Sequence, residues 1–142
     1  MGRITRAFCI IMLLKCVTSA INRDYSFIPS SNDKVIFLFE LFDVAPRDTY
    51  LSYREVSLLQ QLTFPQMPMT PAIWKRACRI LGSNPMHGIG LEQFNSSYFQ
   101  HAEQLGTNLD KDFNMIVEFI KHQQNEMRKN YRLKSTEHCR AF

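Results

Sequence analysis

Two stretches decide the fold of this 142-residue chain. Residues 39–56 read FELFDVAPRDTYLSYREV, and residues 74–94 read WKRACRILGSNPMHGIGLEQF. Each stretch has apolar residues at helical spacing, an irregular loop with one aliphatic residue near its end (Leu51, Ile89), and a second helical pattern. The shared order predicts two helix–loop–helix units in an all-α fold. We expect strand only at Leu51 and Ile89, where the two loops would touch.

Capping signals place the ends of these helices. Residues Ser30–Asp33 form a polar helix start, and Ser52 with Glu55 forms a capping box for the next helix. Thr70 followed by proline opens a third helix, and we expect a later one to run from Leu91 to about Glu103. The chain then divides into a leader (1–20), a linker (21–33), the paired units (34–106), a C-terminal amphipathic helix (107–134) and a basic tail (135–142).

The paired units resemble the calmodulin-type EF-hand family over residues 35–99. In the second loop, counted from Gly82, Ile89 falls at position 8, Gln93 at position 12, and Phe94 directly follows. The resemblance implies two helix–loop–helix units that dock face to face through apolar residues and pair their loops. It also implies an apolar groove that takes a protein partner or the chain's own C-terminal helix, and the residues assigned to this groove are Phe39, Phe42, Trp74 and Phe94.

The same resemblance makes the first loop a candidate calcium site. Its ligands would be Asp43, Asp48, Ser52 and Glu55. The loop is one residue too long and carries Arg47, whose fixed charge opposes a cation. The second loop offers no carboxylate at a ligand position, although calcium needs six to eight oxygens. We therefore expect calcium binding to be lost or weak, and no other cofactor.

A purely structural interpretation of these residues stays open. Ser52 and Glu55 are explained as a helix cap, and Asp43 can accept hydrogen bonds from loop amides without a metal. The aromatic residues of the predicted groove are most simply core. We favour this interpretation for the chemistry of the loops.

The formal net charge of +4 is distributed unevenly. Residues 121–142 carry six lysines and arginines against two glutamates, whereas residues 21–120 are about −3. A mildly acidic body with a basic end excludes a uniformly basic nucleic-acid binder. The basic end could instead meet an acidic partner or an anionic membrane surface.

The N-terminus has the layout of a secretory signal peptide. Arg3 and Arg6 precede the apolar run 7–14, and small residues at 18–20 follow. An amphipathic helix packed on the core and a membrane anchor or organelle presequence are the alternatives for residues 1–20. Cleavage would make the protein secreted or lumenal in the endomembrane system, and without cleavage it would be cytoplasmic. Of the four cysteines, Cys78 is predicted to be a buried free thiol, with a disulfide to Cys139 as the other option.

No catalytic motif occurs. The four histidines are scattered, and the chain has no zinc spacing, no phosphate-binding glycine loop and no nucleophile elbow. We expect neither catalysis nor a small-molecule substrate, and nucleic acid is disfavoured because aromatic residues do not alternate with the charges. The sequence thus predicts a non-catalytic regulatory or scaffolding module. The alternatives are a secreted calcium-binding protein with one weak site and a basic adaptor for nucleic acid or membrane.

Overall fold

The computed structural model describes residues 30–44 and 47–140, with side chains described as far as residue 136. The fold of this part is all-α, as predicted, with one antiparallel pair of two-residue strands. The elements are α1 (Ser31–Phe42), β1 (Tyr50–Leu51), α2 (Tyr53–Thr63), α3 (Pro71–Leu81), β2 (Ile89–Gly90), α4 (Leu91–Phe99), α5 (Ala102–Leu105) and α6 (Leu109–Arg140). The predicted leader (1–20) and residues 21–29 of the linker lie outside the described residues. None of the helices in the described part is both long and apolar enough to cross a membrane.

Side-chain caps fix the starts of three helices. The hydroxyls of Ser30, Ser52 and Thr70 accept the backbone N–H three residues ahead at 3.1, 3.3 and 3.2 Å. Each bond satisfies one of the N–H groups that a helix start leaves without an intrahelical partner. These caps depend on neighbours in sequence, which is why the sequence alone predicts them.

The two loops meet at the expected point. Leu51 pairs with Ile89 and Tyr50 with Gly90, in antiparallel register. Both aliphatic side chains are buried, so the strand pair is also part of the core. The predicted contact between Leu51 and Ile89 is confirmed, and it joins the two helix–loop–helix units side by side.

Aromatic contacts hold the helices together around this pair. The rings of Phe39 in α1 and Phe94 in α4 lie 5.7 Å apart, which joins the first unit to the second. Phe37 meets Phe113 of α6 edge to face at 5.6 Å, a favoured geometry for aromatic rings. Among residues 109–136 of α6, the buried ones are Leu109, Asp112, Phe113, Ile116, Val117 and Ile120. The first part of α6, residues 109–120, therefore covers the paired units.

Two predicted helix ends are wrong, whereas α1 begins at Ser31, within the predicted helix start Ser30–Asp33. α4 ends at Phe99 and not near Glu103, because the N–H groups of residues 100 and 101 both donate to the carbonyl of Ser96, and the chain leaves the helix before the short helix α5. α6 runs to Arg140, through the predicted tail. That tail is polar, but it contains no glycine or proline to end a helix.

Candidate functional site: the paired loops and the end of α6

Asp43 organises the first loop. It lies buried at the C-terminal end of α1, and its two carboxylate oxygens accept the N–H groups of Asp48 and Thr49 at 3.1 and 3.0 Å. Thr49 has a φ of 68°, a left-handed conformation that is rare for a β-branched residue. The carboxylate thus holds the backbone in the turn that leads into β1, and its hydrogen bonds offset the conformational cost at Thr49.

The other predicted ligands of this loop also have local bonds. Asp48 accepts the N–H of Tyr50 at 3.0 Å, and the Ser52 hydroxyl caps α2. Glu55, in the first turn of α2, is only 1% exposed. The structure therefore places Asp43, Asp48 and Ser52 in a hydrogen-bonded loop that enters α2. Residues 45 and 46 of this loop lie outside the described part.

The second loop folds through its own backbone. The side-chain carbonyl of Asn84 accepts the N–H of Met86 at 3.0 Å. The backbone carbonyl of Asn84 accepts the N–H groups of His87 and Gly88, also at 3.0 Å. The indole N–H of Trp74 donates to the Pro85 carbonyl at 3.2 Å. Met86 points outward and is 89% exposed. Counted from Gly82, Asn84 and Met86 stand at positions 3 and 5, where an EF-hand loop places ligands. Asn84 instead forms a local turn, and Met86 faces solvent.

No group of three or more histidine, cysteine, aspartate or glutamate side chains able to hold a metal ion occurs among the described residues. Cys78 is free and buried, as predicted, and burial raises the pKa of its thiol. A raised pKa keeps the sulfur protonated, and the thiolate is the reactive form. Cys139 lies where side chains are not described, so the alternative disulfide is outside the described structure.

The predicted groove residues are core residues in this structure. Phe39, Phe42, Trp74 and Phe94 are each at most 5% exposed. Phe39 and Phe94 contact each other, and Trp74 contacts Tyr53 at a ring distance of 5.9 Å. None of the four side chains offers an open surface in this conformation, and their assignment to a groove that a partner or the chain's own C-terminal helix fills stays a prediction. Apolar patterning predicts burial but does not distinguish a partner's surface from the protein's own core.

A buried polar contact joins α4 to the start of α6. The Tyr98 hydroxyl donates to the Asp112 carboxylate at 2.9 Å, and both side chains are buried. Burial raises the pKa of Asp112, while the Tyr98 hydrogen bond and the nearby Lys111 lower it. Burial, together with the adjacent carboxylate, raises the pKa of Tyr98 well above 10.0. The raised pKa of Tyr98 keeps its hydroxyl protonated, and this hydroxyl is the hydrogen-bond donor.

The second part of α6 differs sharply from the first. Ile120 is 2% exposed, but no residue from Lys121 to Thr136 is buried. A shallow surface depression there is lined by Gln124, Met127, Arg128, Tyr131 and Arg132. Sequence reasoning offered this basic end to an acidic partner or an anionic membrane surface, but it named no contact residues there. The sequence does carry a signal for it. The helical spacing of the buried residues up to Ile120 continues through residues 124, 127 and 131, inside a basic segment.

Comparisons with protein-family models, with curated proteins and with solved structures give no match to this chain.

Proposed function

We propose that this chain is a non-catalytic interaction module of EF-hand-like architecture, and that calcium is not required for its fold or its binding. The paired helix–loop–helix units form a rigid base, and the first part of α6 occupies the place where an EF-hand pair would hold a target helix. The contact of Phe37 with Phe113 supports this arrangement. So does the ion pair between Lys34 of α1 and Asp110 of α6 at 2.8 Å.

The observation that carries the proposal is the hydrogen bonding of Asp43. Its carboxylate accepts two loop amides and so shapes the turn into β1 with protein groups alone. The second loop likewise reaches the paired strands through bonds centred on Asn84. Buried backbone groups must find partners, and here the chain supplies them. An ion is therefore not needed to bring Leu51 to Ile89.

Thermal unfolding of the full chain in calcium and in chelator tests the proposal. A ligand that binds only the folded state stabilises it in proportion to the logarithm of its concentration. A site with a dissociation constant of about 10 µM would add about 2.7 kcal/mol in about 1 mM calcium. That would raise the midpoint by about 8 °C for a chain of this size. We expect no shift and no calorimetric heat of calcium binding.

One observation favours a second candidate, a protein with a single weak calcium site in the first loop. Asp43 and Glu55 are both buried, and they stand at the two ends of that loop. Two desolvated carboxylates are a source of charge for a cation. A heat of calcium binding that disappears in Glu55→Gln would establish this candidate. Glu40→Gln, which removes an exposed carboxylate of α1, should leave that heat unchanged.

A further inference from the structure

More than half of α6, residues 121–140, extends past the body with no covering element in the described part. The helix has 32 residues and is therefore about 48 Å long. From residue 121 to residue 136, the last whose side chain is described, none is buried. Helices derive most of their stability in proteins from packing of an apolar face, and isolated ones are marginal in water. A long helical extension of this kind is expected to gain stability from a bound partner.

The face that packs in the first part continues along the extension. Residues 124, 127 and 131 follow Ile120 at intervals of four, three and four, which keeps them on one side of the helix. Met127 is 37% exposed and Tyr131 is 78% exposed. Sulfur and an amphipathic aromatic ring are common anchors at protein interfaces. The apolar strip is narrow, so burial of these two side chains alone gives a limited affinity.

Cations flank this strip. Arg128 and Arg132 follow Met127 and Tyr131 by one residue each and line the same surface depression. Within the described residues, neither arginine has an ion-pair partner. Their spacing of four places both guanidinium groups on one row of the helix. Arginine binds carboxylates in bidentate fashion, so the row suits acidic side chains on a partner.

The charge argues against two other occupants. A second copy would bring two basic segments together, each with six lysines and arginines and two glutamates over residues 121–142. An interfacial membrane helix needs a broad apolar face, whereas Leu133 stands apart from the strip of Met127 and Tyr131. An acidic amphipathic helix can cover Met127 and Tyr131 with its apolar face and place carboxylates against Arg128 and Arg132.

We infer that residues 121–136 of α6 dock an acidic amphipathic helix of a partner protein, with Met127 and Tyr131 as anchors and Arg128 and Arg132 as carboxylate contacts. This inference rests on the proposed function, because it names the surface and the partner chemistry of that interaction module.

A labelled synthetic peptide tests the inference with the full chain. The peptide has heptad leucines at positions a and d and glutamates at positions e and g. Fluorescence anisotropy measures its binding at low salt in calcium and in chelator. We expect saturable binding that weakens about tenfold in Tyr131→Ser. In Arg128→Gln/Arg132→Gln, binding should weaken about fivefold. Circular dichroism should show these exposed variants folded.

The matched control is Lys75→Gln/Arg79→Gln. It removes two exposed cations at the same spacing from α3, away from the docking face. We expect less than a twofold change, roughly the scale of screened surface charge. If peptide binding weakens equally in this control, the peptide responds only to the net charge of the protein, and the inference is overturned. Absence of peptide binding would also overturn it.

Two further readouts separate the other occupants. Binding to phosphatidylserine vesicles but not to the peptide would replace the partner protein with a membrane surface. Self-association that Tyr131→Ser abolishes would replace it with a second copy. Either result overturns the inference. Peptide binding that requires calcium would retain the docking face and refute the proposed function.

Discussion

The substitution Gly88→Ala tests the contact on which the fold depends. Gly88 lies just before β2 and has a φ of 94°, a backbone conformation that L side chains rarely adopt. A Cβ placed there would lie 2.4 Å from the carbonyl oxygen of Leu51 and 2.9 Å from its carbonyl carbon. These are backbone atoms and cannot rotate away. The two loops would have to separate, and the pairing of Leu51 with Ile89 would be lost or distorted.

The magnitude follows from two separate costs. A left-handed conformation costs an L residue about 1–2 kcal/mol. Forcing the strands apart adds the loss of buried backbone hydrogen bonds and of core contacts, of the order of 2 kcal/mol or more. We expect Gly88→Ala to lower the free energy of unfolding by about 3–4 kcal/mol. For a chain of this length that is roughly a 10 °C fall in the thermal midpoint.

Gly82→Ala is the matched control. Gly82 also has a positive φ, 69°, but a Cβ there meets nothing within 4 Å. It should therefore show the conformational cost alone, about 1 kcal/mol. Urea unfolding followed by far-UV circular dichroism gives the free energies of both variants. If Gly88→Ala costs no more than Gly82→Ala, the close approach of the loops at Leu51 is wrong, and so is the paired arrangement of the units.

Four further predictions concern other contacts. Because burial raises the pKa of Asp112, its contribution to stability is complete below the ordinary carboxyl value of 3.8 and is lost as pH rises through the raised pKa. The urea midpoint of the wild type should therefore rise relative to that of Asp112→Asn as the pH falls from neutrality. A difference between the two midpoints that does not change with pH would contradict the raised pKa. For Tyr98, whose pKa is raised well above 10.0, the wild type should lose stability relative to Tyr98→Phe in strong alkali, measured by the same midpoints. A double-mutant cycle of Phe37→Leu and Phe113→Leu should give a coupling of about 0.5–1.5 kcal/mol in urea unfolding, and additive effects would mean that α6 does not pack on α1 through these rings. Thr70→Ala removes the cap of α3 and should cost about 1 kcal/mol by thermal unfolding, whereas no change would mean that the hydroxyl does not cap the helix in solution.

The sequence predicts those features that depend on short-range rules. The caps at Ser52 and Thr70 bond three residues ahead, so the residue types alone suffice. The pairing of Leu51 with Ile89 is a long-range contact, but each residue is the lone aliphatic near the end of its loop. Repetition of one pattern in two units supplied the information that a single unit lacks.

Features that depend on long-range packing could not be predicted from residue types and spacing. The aromatic residues of the predicted groove have the pattern of any buried helix face. Their exposure depends on whether the units close on each other, and Phe39 closes on Phe94. The break after Phe99 depends on two amides that share one carbonyl, and residue types do not specify such a choice. The individual residues of the docking face were not identified because an apolar residue every third or fourth position looks the same in a core and on an open surface.

Under the proposed function, neither the fold nor the binding of a partner depends on a calcium ion. A ligand shifts a conformational equilibrium only when it binds one state more tightly than another. In both loops the turns are made by protein groups, through Asp43 in the first and Asn84 in the second. On the proposed function, the core side chains would stay covered by the first part of α6 at any calcium concentration. The surface offered to a partner would then be residues 121–136, which are exposed or half-buried in the closed conformation. We therefore expect such a module to bind constitutively. Its affinity should respond to ionic strength and not to calcium, because the proposed contacts join Arg128 and Arg132 to carboxylates of the partner.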